Sequence, residues 1–355
     1  MGFTSVPDQA IDILKQWAKD KVTGIESLTG DASNRSYFRV HLEKGGKSDG
    51  QTVILMVRRA PEGFRGSEEK TAPSEGLPPD DPFVVIGQFL EKNRLPVPAI
   101  HYHSPDGDIL IQEDLGDETL SDAFVRYPDN EVSLRAKSVE LLLDLQSLNP
   151  GSDMGWMRKR PFSRELYVWE FDHFLEYGVN STTPADIEVL KNSFSNMSEM
   201  LAGSLPGVLL HRDYHSRNLM LNEKGDLTLI DFQDMRIGSP LYDLSSFLFD
   251  AYRPVSPALL DRILIDYEKE ARKRKIVPSS VSALTLRSLL ATHAFQRNLK
   301  ACGRFFYIDR VKGNPSYLAS VPQTHKNLEF LAGWEPSLQS SWSLIRPLLK
   351  DPADA

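Results

Sequence analysis

The pattern of hydrophobic and polar positions changes from strand-like to helix-like along the chain. Two runs, "RSYFRVHLE" at 35–43 and "TVILMVRR" at 52–59, are rich in β-branched and aromatic residues, and a Gly-rich segment separates them. This pattern predicts a β-hairpin, preceded by an amphipathic helix at the N-terminus. A helix that begins at Pro82 and a strand over 109–112 complete the β-rich part.

Beyond residue 113 the apolar positions follow helical spacing. The pattern predicts helices over 134–148, 164–179 and 184–203 and after residue 257. We therefore expect a β-rich N-lobe, residues 1–113, and a mainly helical C-lobe, residues 114–355. The segment 60–82 is rich in Pro, Gly and charge and has no apolar period, so we expect a mobile loop that could act as a lid.

Composition narrows the class of protein. The chain has 355 residues, 41% hydrophobic and 25% charged, which is typical of a folded globular protein. A net charge of -8 argues against a nucleic-acid or anionic-membrane partner. The single cysteine, Cys302, excludes an internal disulfide framework and a thiolate metal cluster. We expect a location in the cytoplasm, because no signal peptide or membrane-spanning stretch is recognisable. We also expect a monomer.

The segment "LLHRDYHSRNLMLNEKGDLTLIDFQD", residues 209–234, carries the candidate chemistry. Two short apolar runs flank a polar turn, which predicts a hairpin. Asn218 precedes its first strand and Asp231 follows its second, so we expect the two side by side, with Asp213 in reach. An amide and a carboxylate oxygen, with no basic partner evident in the sequence, suit Mg²⁺.

The spacing His-x-Asp-x-x-x-x-Asn, followed after the hairpin by Asp-Phe, indicates phosphoryl transfer from ATP. Asp213 would act as the base towards the attacking hydroxyl, and Asn218 and Asp231 would hold Mg²⁺. His211 would brace the loop from behind. Each of these residues taken alone is an ordinary turn or structural residue, and only their combination favours a kinase.

A zinc hydrolase is the alternative interpretation of two histidines in this segment. His211 and His215 stand four residues apart, the spacing of two zinc ligands on a helix. However, Arg212 occupies the position where such enzymes carry glutamate, and the segment is predicted to be a loop. The zinc interpretation is therefore disfavoured.

At this point the chain resembles the aminoglycoside phosphotransferase and choline kinase group of small-molecule kinases. The stretches "HRDYHSRN" and "IDFQD" are similar to their catalytic loop and metal-binding segment. The resemblance implies an α+β, two-lobed protein-kinase-like fold that uses ATP and Mg²⁺. It also implies that His211 and His215 support the loop and that Asp243, in "GSPLYDLSSFL", is a buried structural acid.

A closer resemblance is to bacterial anomeric kinases of N-acetylmuramate and N-acetylglucosamine, which serve cell-wall sugar recycling. It is carried by the catalytic segment and by "GDASNRSYFRV", "IQEDLGDETL" and "QRNLKACGRFFYIDRVKGNPSYLASVP". The resemblance implies that ATP lies between the lobes. Its phosphates would meet Ser33, Asn34 and Arg35, and its adenine would meet Glu113 and Leu115.

Two departures from protein kinases concern the nucleotide phosphates. The chain has no GxGxxG loop, and the segment 52–59 has no lysine. Arg58 or Arg59 could supply the missing charge, or could be a solvated strand end. A nucleotide-binding pseudokinase scaffold therefore remains an alternative, although intact Asp213, Asn218 and Asp231 argue against it.

The acceptor is expected to be a small sugar. The helix "LLATHAFQRNLKACGRFF" places Arg297, Lys300 and Arg304 on one face, with His293 one turn earlier. This face is either solvated or binds an anionic acceptor, and the second interpretation favours N-acetylmuramate, which carries a carboxylate. An aminoglycoside-type or choline-type kinase remains open, whereas the lack of an Ala-Pro-Glu segment argues against a protein kinase.

Overall fold

The computed structural model describes residues 6–19, 21–28, 35–43, 52–58, 81–180 and 183–354. The strands are β1 Val22–Leu28, β2 Arg35–Leu42, β3 Thr52–Arg58, β4 Ile100–His103, β5 Ile109–Glu113, β6 Val208–Leu210, β7 Leu219–Leu221, β8 Leu227–Leu229 and β9 Arg236–Gly238. The helices are α1 Asp8–Ala18, α2 Pro82–Lys92, α3 Leu120–Arg126, α4 Glu131–Ser147, α5 Arg164–Tyr177, α6 Pro184–Ala202, α7 Leu241–Leu248, α8 Pro257–Lys273, α9 Ala283–Lys312, α10 Val321–Trp334 and α11 Gln339–Ile345.

These elements group into two compact units. The first contains the described residues up to 58, residues 81–117 and residues 220–233, and the second contains the described parts of 118–219 and 234–354. The predicted hairpin of 35–43 and 52–59 is confirmed as β2 and β3, and the helix from Pro82 and the strand at 109–112 are also confirmed. Strand β1, at the edge of the same sheet, was not predicted.

The first unit is built on a five-stranded antiparallel sheet in the order β1-β2-β3-β5-β4. Side chains alternate between the two faces of a strand. One face packs against α1 through a buried core that contains Leu14, Phe38, Val40, Leu55 and Ile111. The opposite face therefore carries the intervening positions of β2 and β3, including Arg35, Arg39 and Arg58.

The predicted hairpin at 219–230 is confirmed as β7 and β8, and residues 220–233 belong to the first unit. The N–H of Leu229 donates to the carbonyl of Pro96 at 2.8 Å. The ring of Phe232 lies 4.7 Å from that of Phe83 in α2. These contacts anchor the end of the hairpin, just before and after Asp231, on the first unit.

The second unit is mainly helical, as the apolar spacing predicts. The helices over 134–148, 164–179, 184–203 and after 257 are confirmed as α4, α5, α6 and α8. Helix α9 passes close to α5 at Gly303, where a Cβ atom would lie only 2.7 Å from the Cα of Phe174. Glycine therefore permits this approach of two backbones. No helix among the described residues is long and apolar enough to cross a bilayer.

Candidate active site

The loop after β6 is held by one buried carboxylate. Asp243, fully buried in α7, accepts hydrogen bonds from the backbone N–H groups of His211 at 2.6 Å and Arg212 at 2.9 Å. Burial raises the pKa of Asp243, and His211 and the two hydrogen bonds oppose the rise. Arg212 has a φ of 79°, a conformation that residues other than glycine seldom adopt. Asp243 thus stabilises a strained turn directly before Asp213.

Asp213 faces two cations from helix α9. Its Oδ1 atom lies 3.0 Å from Nζ of Lys300 and accepts a hydrogen bond from Nη2 of Arg297 at 3.1 Å. Burial would raise the pKa of Asp213, but Lys300 and Arg297 hold that pKa well below its ordinary value. The carboxylate is therefore ionised at neutral pH. Its side chain is still 39% exposed, so an incoming hydroxyl can reach it.

A second carboxylate, Glu170 of α5, lies behind these cations with no exposed surface. It accepts hydrogen bonds from the hydroxyl of Tyr242 at 3.1 Å and from Nε2 of Gln296 at 2.7 Å, and it lies 3.6 Å from Nζ of Lys300. The Tyr242 hydroxyl in turn accepts a hydrogen bond from Nη1 of Arg297 at 2.7 Å. Glu170 therefore contacts Lys300 directly and Arg297 through Tyr242.

Asn218 ends a single 3₁₀ turn, Ser216–Asn218, and is buried. Its Nδ2 donates to the backbone carbonyl of Asp213 at 2.9 Å, which closes the segment 213–218 into a compact loop. One amide N–H group is thereby engaged on the protein. The Oδ1 atom, the atom that could bind a cation, has no protein donor among the described residues.

Asp231 adopts a φ of 62° after the β7–β8 hairpin, and its side chain is 44% exposed. Oδ1 accepts a hydrogen bond from Nε2 of Gln233 at 2.8 Å and lies 3.5 Å from Nη1 of Arg35. The sequence shows no basic partner for the predicted metal ligands, but folding brings Arg35, 196 positions earlier in the chain, close to Asp231. Oδ2 of Asp231 has no hydrogen-bond donor within the described ranges.

The chemistry of these two oxygens fits Mg²⁺. Asn218 offers an amide oxygen and Asp231 a carboxylate oxygen, and Mg²⁺ is commonly bound by one or two such groups together with waters and phosphates. Asn218 belongs to the second unit and Asp231 to the first. Over the described part of the chain, no group of three or more His, Cys, Asp or Glu side chains could hold a metal by itself. In particular, His211 and His215 lie in a loop and not on one helix face.

The segment predicted to meet adenine is tied to the sheet of the first unit. Arg39 of β2 donates to Asp114 through Nε at 2.6 Å and Nη2 at 3.0 Å, and Nη2 also contacts Asp117 at 2.8 Å. Glu113 is exposed and accepts a hydrogen bond from the N–H of Ala99 at 3.1 Å. Leu115 is half-buried. The predicted phosphate-binding residues Ser33 and Asn34 lie outside the described residues.

Two arginines stand opposite each other on the sheet face away from α1. Arg35 of β2 pairs in register with Arg58 of β3, so the two side chains share one face. Arg58 forms an ion pair with Asp81, which also caps α2 by accepting the N–H of Phe83 at 2.9 Å. Arg58 is thus held by an acid and is not a free strand end. Arg59 and residues 60–80 of the predicted lid at 60–82 lie outside the described residues.

Comparison with known proteins places the chain among phosphotransferases. The model of the family described as "Phosphotransferase enzyme family" matches residues 24–276, most of the chain. The chain belongs to this family. The match includes the Asp213 loop, the β7–β8 hairpin and Asp231. It ends before α9, so Arg297 and Lys300 come from outside the matched region.

Two relatives of this phosphotransferase are named N-acetylmuramate/N-acetylglucosamine kinase. The protein from Pseudomonas putida is 28% identical over 94% of this chain and 90% of its own length. The protein from Pseudomonas aeruginosa is 25% identical over 95% of this chain and 92% of its own length. The resemblance to this family stated from sequence motifs is therefore confirmed.

Among solved structures, the phosphotransferase is similar to the streptomycin-ATP-APH(2")-IIa ternary complex. The TM-score is 0.57 at 14% identity, with 88% of this chain and 94% of that chain covered. At this identity the similarity concerns the fold alone. It confirms the predicted protein-kinase-like fold.

Sequence patterns missed several residues of this site. Glu170 and Tyr242 were not predicted to belong to the site. The local clue for Glu170 is a carboxylate on a side of α5 that is otherwise buried, and Tyr242 has no such clue. The predicted face of α9 is not solvated at Arg297 and Lys300, whose side chains are 7% and 14% exposed. Arg304 is half-buried, with its guanidinium 5.0 Å from the Tyr307 ring.

Two of the predicted histidines, His293 and His215, are buried and half-buried, respectively. Burial lowers the pKa of His293 to about 3, and the ring lies 3.4 Å from the Tyr167 hydroxyl. Burial also lowers the pKa of His215, although Asp250 and Asp213 oppose this. Both side chains are therefore neutral at physiological pH and add no charge to the site.

Proposed function

We propose that this phosphotransferase transfers the terminal phosphoryl group of ATP to a hydroxyl of a small sugar. N-Acetylmuramate and N-acetylglucosamine are the proposed acceptors, and the anomeric hydroxyl is the proposed site. The observation that carries the proposal is the ionised, accessible carboxylate of Asp213, held by Lys300 and Arg297 in a loop of this family. The names of the relatives support the choice of acceptor.

Asp213 would accept a hydrogen bond from the acceptor hydroxyl and orient its oxygen towards the phosphoryl group. Its low pKa means that it acts first by orientation and receives the proton as the new bond forms. Lys300 and Arg297 would keep the carboxylate in one position during this step. Asn218 and Asp231 would hold Mg²⁺, which neutralises charge on the phosphates when bound.

A cation other than lysine must contact the nucleotide phosphates, because the segment 52–59 lacks the lysine that protein kinases use there. Arg35 and Arg58 supply two guanidinium groups on one sheet face, each steadied by an acid, Asp231 or Asp81. We assign phosphate contacts to these arginines, together with Ser33 and Asn34. Glu113 and Leu115, in the segment that Arg39 ties to the sheet, are assigned to the adenine.

The proposal is tested with the purified full chain, MgATP and a panel of acceptors. The panel contains N-acetylmuramate, N-acetylglucosamine, aminoglycosides and choline, and ADP release is measured with a coupled assay. We expect turnover with the two amino sugars and, by ³¹P NMR of the product, a phosphate on the anomeric carbon. The Asp213→Asn variant serves as the negative control.

Three results would contradict the proposal in different ways. Turnover of aminoglycosides or choline alone would identify a different kinase of the same family. Nucleotide binding without turnover of any acceptor would indicate a pseudokinase scaffold. A phosphate on another hydroxyl would reject the anomeric assignment and leave the sugar kinase assignment in place. The proposed cytoplasmic location and monomeric state are separate from these outcomes.

A further inference from the structure

Arg297 and Lys300, two of the cations predicted to bind an anionic acceptor, already form ion pairs within the protein. Lys300 lies 3.0 Å from Asp213 and 3.6 Å from Glu170, and Arg297 contacts Asp213, the Tyr242 hydroxyl and Oγ of Ser246. Arg212 also lies 3.7 Å from Glu170, so both carboxylates are surrounded by cations of the protein itself. A carboxylate of the acceptor would compete here with Asp213, the group that must stay in place for catalysis. Another cation is better suited to that role.

Arg217 meets this requirement. It lies in the loop between Asp213 and Asn218, and its side chain is exposed. Its guanidinium carbon stacks 3.8 Å from the ring centroid of Tyr252 and lies 5.8 Å from that of Tyr317. Within the described ranges, no carboxylate lies close enough to form an ion pair with Arg217. The positive charge is therefore available to a ligand.

A buried acid, Asp250, holds the backbone on which Arg217 is positioned. Asp250, 3% exposed, accepts the N–H of Ser216 at 3.0 Å through one oxygen and the N–H of Tyr252 at 2.8 Å through the other. The two hydrogen bonds join the backbone next to Arg217 to the backbone of the ring on which it stacks. Phe305 of α9 packs against Tyr252 at 5.9 Å. The guanidinium is therefore pre-organised, which lowers the entropy lost when it binds an anion.

Arg217 also lies in a loop whose compact backbone brings it near Asp213. The bond from Nδ2 of Asn218 to the carbonyl of Asp213 closes the segment 213–218, so its two ends are neighbours. Arg217 precedes Asn218 directly. A planar guanidinium binds a carboxylate with two parallel hydrogen bonds, which gives direction as well as charge.

We propose that Arg217 binds the carboxylate of an anionic sugar acceptor and so determines the preference for acidic over neutral amino sugars. This inference rests on the proposed function and adds the residue that reads the charge of the acceptor. Arg297 and Lys300 then act on Asp213 and are shared by all acceptors. Arg217 acts only on acceptors that carry the acidic group.

The test compares Arg217→Gln with the wild-type full chain on two acceptors that differ in the carboxylate-bearing substituent. We expect kcat/KM for N-acetylmuramate to fall at least tenfold more than kcat/KM for N-acetylglucosamine, mainly through KM. The kcat/KM of Arg217→Lys for N-acetylmuramate should lie between the values of the wild type and Arg217→Gln, because lysine keeps the charge but not the planar group. Calorimetry should show weaker N-acetylmuramate binding to Arg217→Gln in the absence of nucleotide.

Arg287→Gln is the matched control. Arg287 also stacks on an aromatic ring, that of Trp334 at 4.2 Å, but in the N-terminal part of α9. This variant should leave the ratio of the two kcat/KM values as in the wild type. If Arg217→Gln loses kcat/KM equally for both sugars, or for neither, the inference is overturned. The proposed function would still stand in that case, provided that the wild type phosphorylates the two sugars. A wild type inactive on both sugars would overturn the proposed function, and the inference with it.

Discussion

Nζ of Lys300 lies 3.6 Å from a carboxylate oxygen of Glu170, a residue with no exposed surface. The same nitrogen lies 3.0 Å from Oδ1 of Asp213, so one ammonium group bridges two carboxylates from different elements. Burial lowers the pKa of Lys300, as does Arg297, whereas Asp213 and Glu170 raise it. The net pKa is below the ordinary value of 10.5. The charge of Lys300 therefore depends on both acids.

Replacing Glu170 should change the pH dependence of turnover. Glu170→Gln removes an anion that favours the charged ammonium, so the pKa of Lys300 falls further. Above that pKa the neutral amine no longer balances Asp213, and activity is lost. We expect the alkaline limb of the kcat profile to move to lower pH in Glu170→Gln, measured from neutral to alkaline pH.

Lys300→Arg is the control for this titration. An arginine at this position stays protonated, so the limb due to Lys300 should disappear, and adding Glu170→Gln should not restore it. A profile of Glu170→Gln that coincides with the wild type would show that Glu170 does not set the charge of Lys300.

Asp213→Asn should lower kcat by about 10²- to 10⁴-fold. Asparagine has nearly the same shape but cannot receive a proton from the acceptor, and it leaves Lys300 and Arg297 without their anion. Binding of ATP, measured by calorimetry, should be retained. Turnover close to that of the wild type would exclude Asp213 as the group that activates the hydroxyl.

Arg58→Met should raise the KM for ATP. A hydrogen bond between a guanidinium and a phosphate is worth about 1.5–3 kcal/mol, so its loss corresponds to roughly tenfold or more in affinity. Lys15→Met, a loss of the same charge from the exposed side of α1, is the control and should leave this KM as in the wild type. If Arg58→Met binds ATP as tightly as the wild type, the phosphate assignment is wrong for Arg58.

Gly303→Ala should destabilise the fold. The new methyl group would lie 2.7 Å from the Cα and 3.1 Å from the backbone nitrogen of Phe174, and neither atom can move independently of α5. Overpacking of this kind costs about 1–3 kcal/mol, measured as the free energy of unfolding in urea. Gly333→Ala is the matched control, because Gly333 lies in α10 with nothing within 4 Å of the added atom. It should be neutral or stabilising by up to about 1 kcal/mol. Equal stability of the two variants would show that α5 and α9 can separate at little cost.

Local elements were predictable because their signals lie in neighbouring residues. Strands β2 and β3 match their predicted spans to within a residue, since β-branched positions and a Gly-rich turn determine both. Strand β1 was missed because its burial is irregular and it lacks a clear alternation. The division into lobes at residue 113 stays a prediction. In the structure the first unit runs to Asp117 and includes residues 220–233.

The role of the charged face of α9 could not be predicted from local sequence patterns. The spacing of Arg297, Lys300 and Arg304 predicted a shared face, but both a solvated surface and an acceptor site were consistent with it. The structure pairs Arg297 and Lys300 with Asp213, which is 84 and 87 positions earlier in the chain. No periodicity within one helix contains that information.

The amino-acid sequence by itself determined the two hairpins, the helices over 134–148, 164–179 and 184–203, the family and the spacing of His211, Asp213, Asn218 and Asp231, because each of these depends on near neighbours in the chain. Tertiary structure decided which charges surround Asp213, that Glu170 lies buried behind them and that Arg217 stands exposed on Tyr252. The physical reason is that the energy of a charge depends on distance and burial, and both arise only when distant segments pack together.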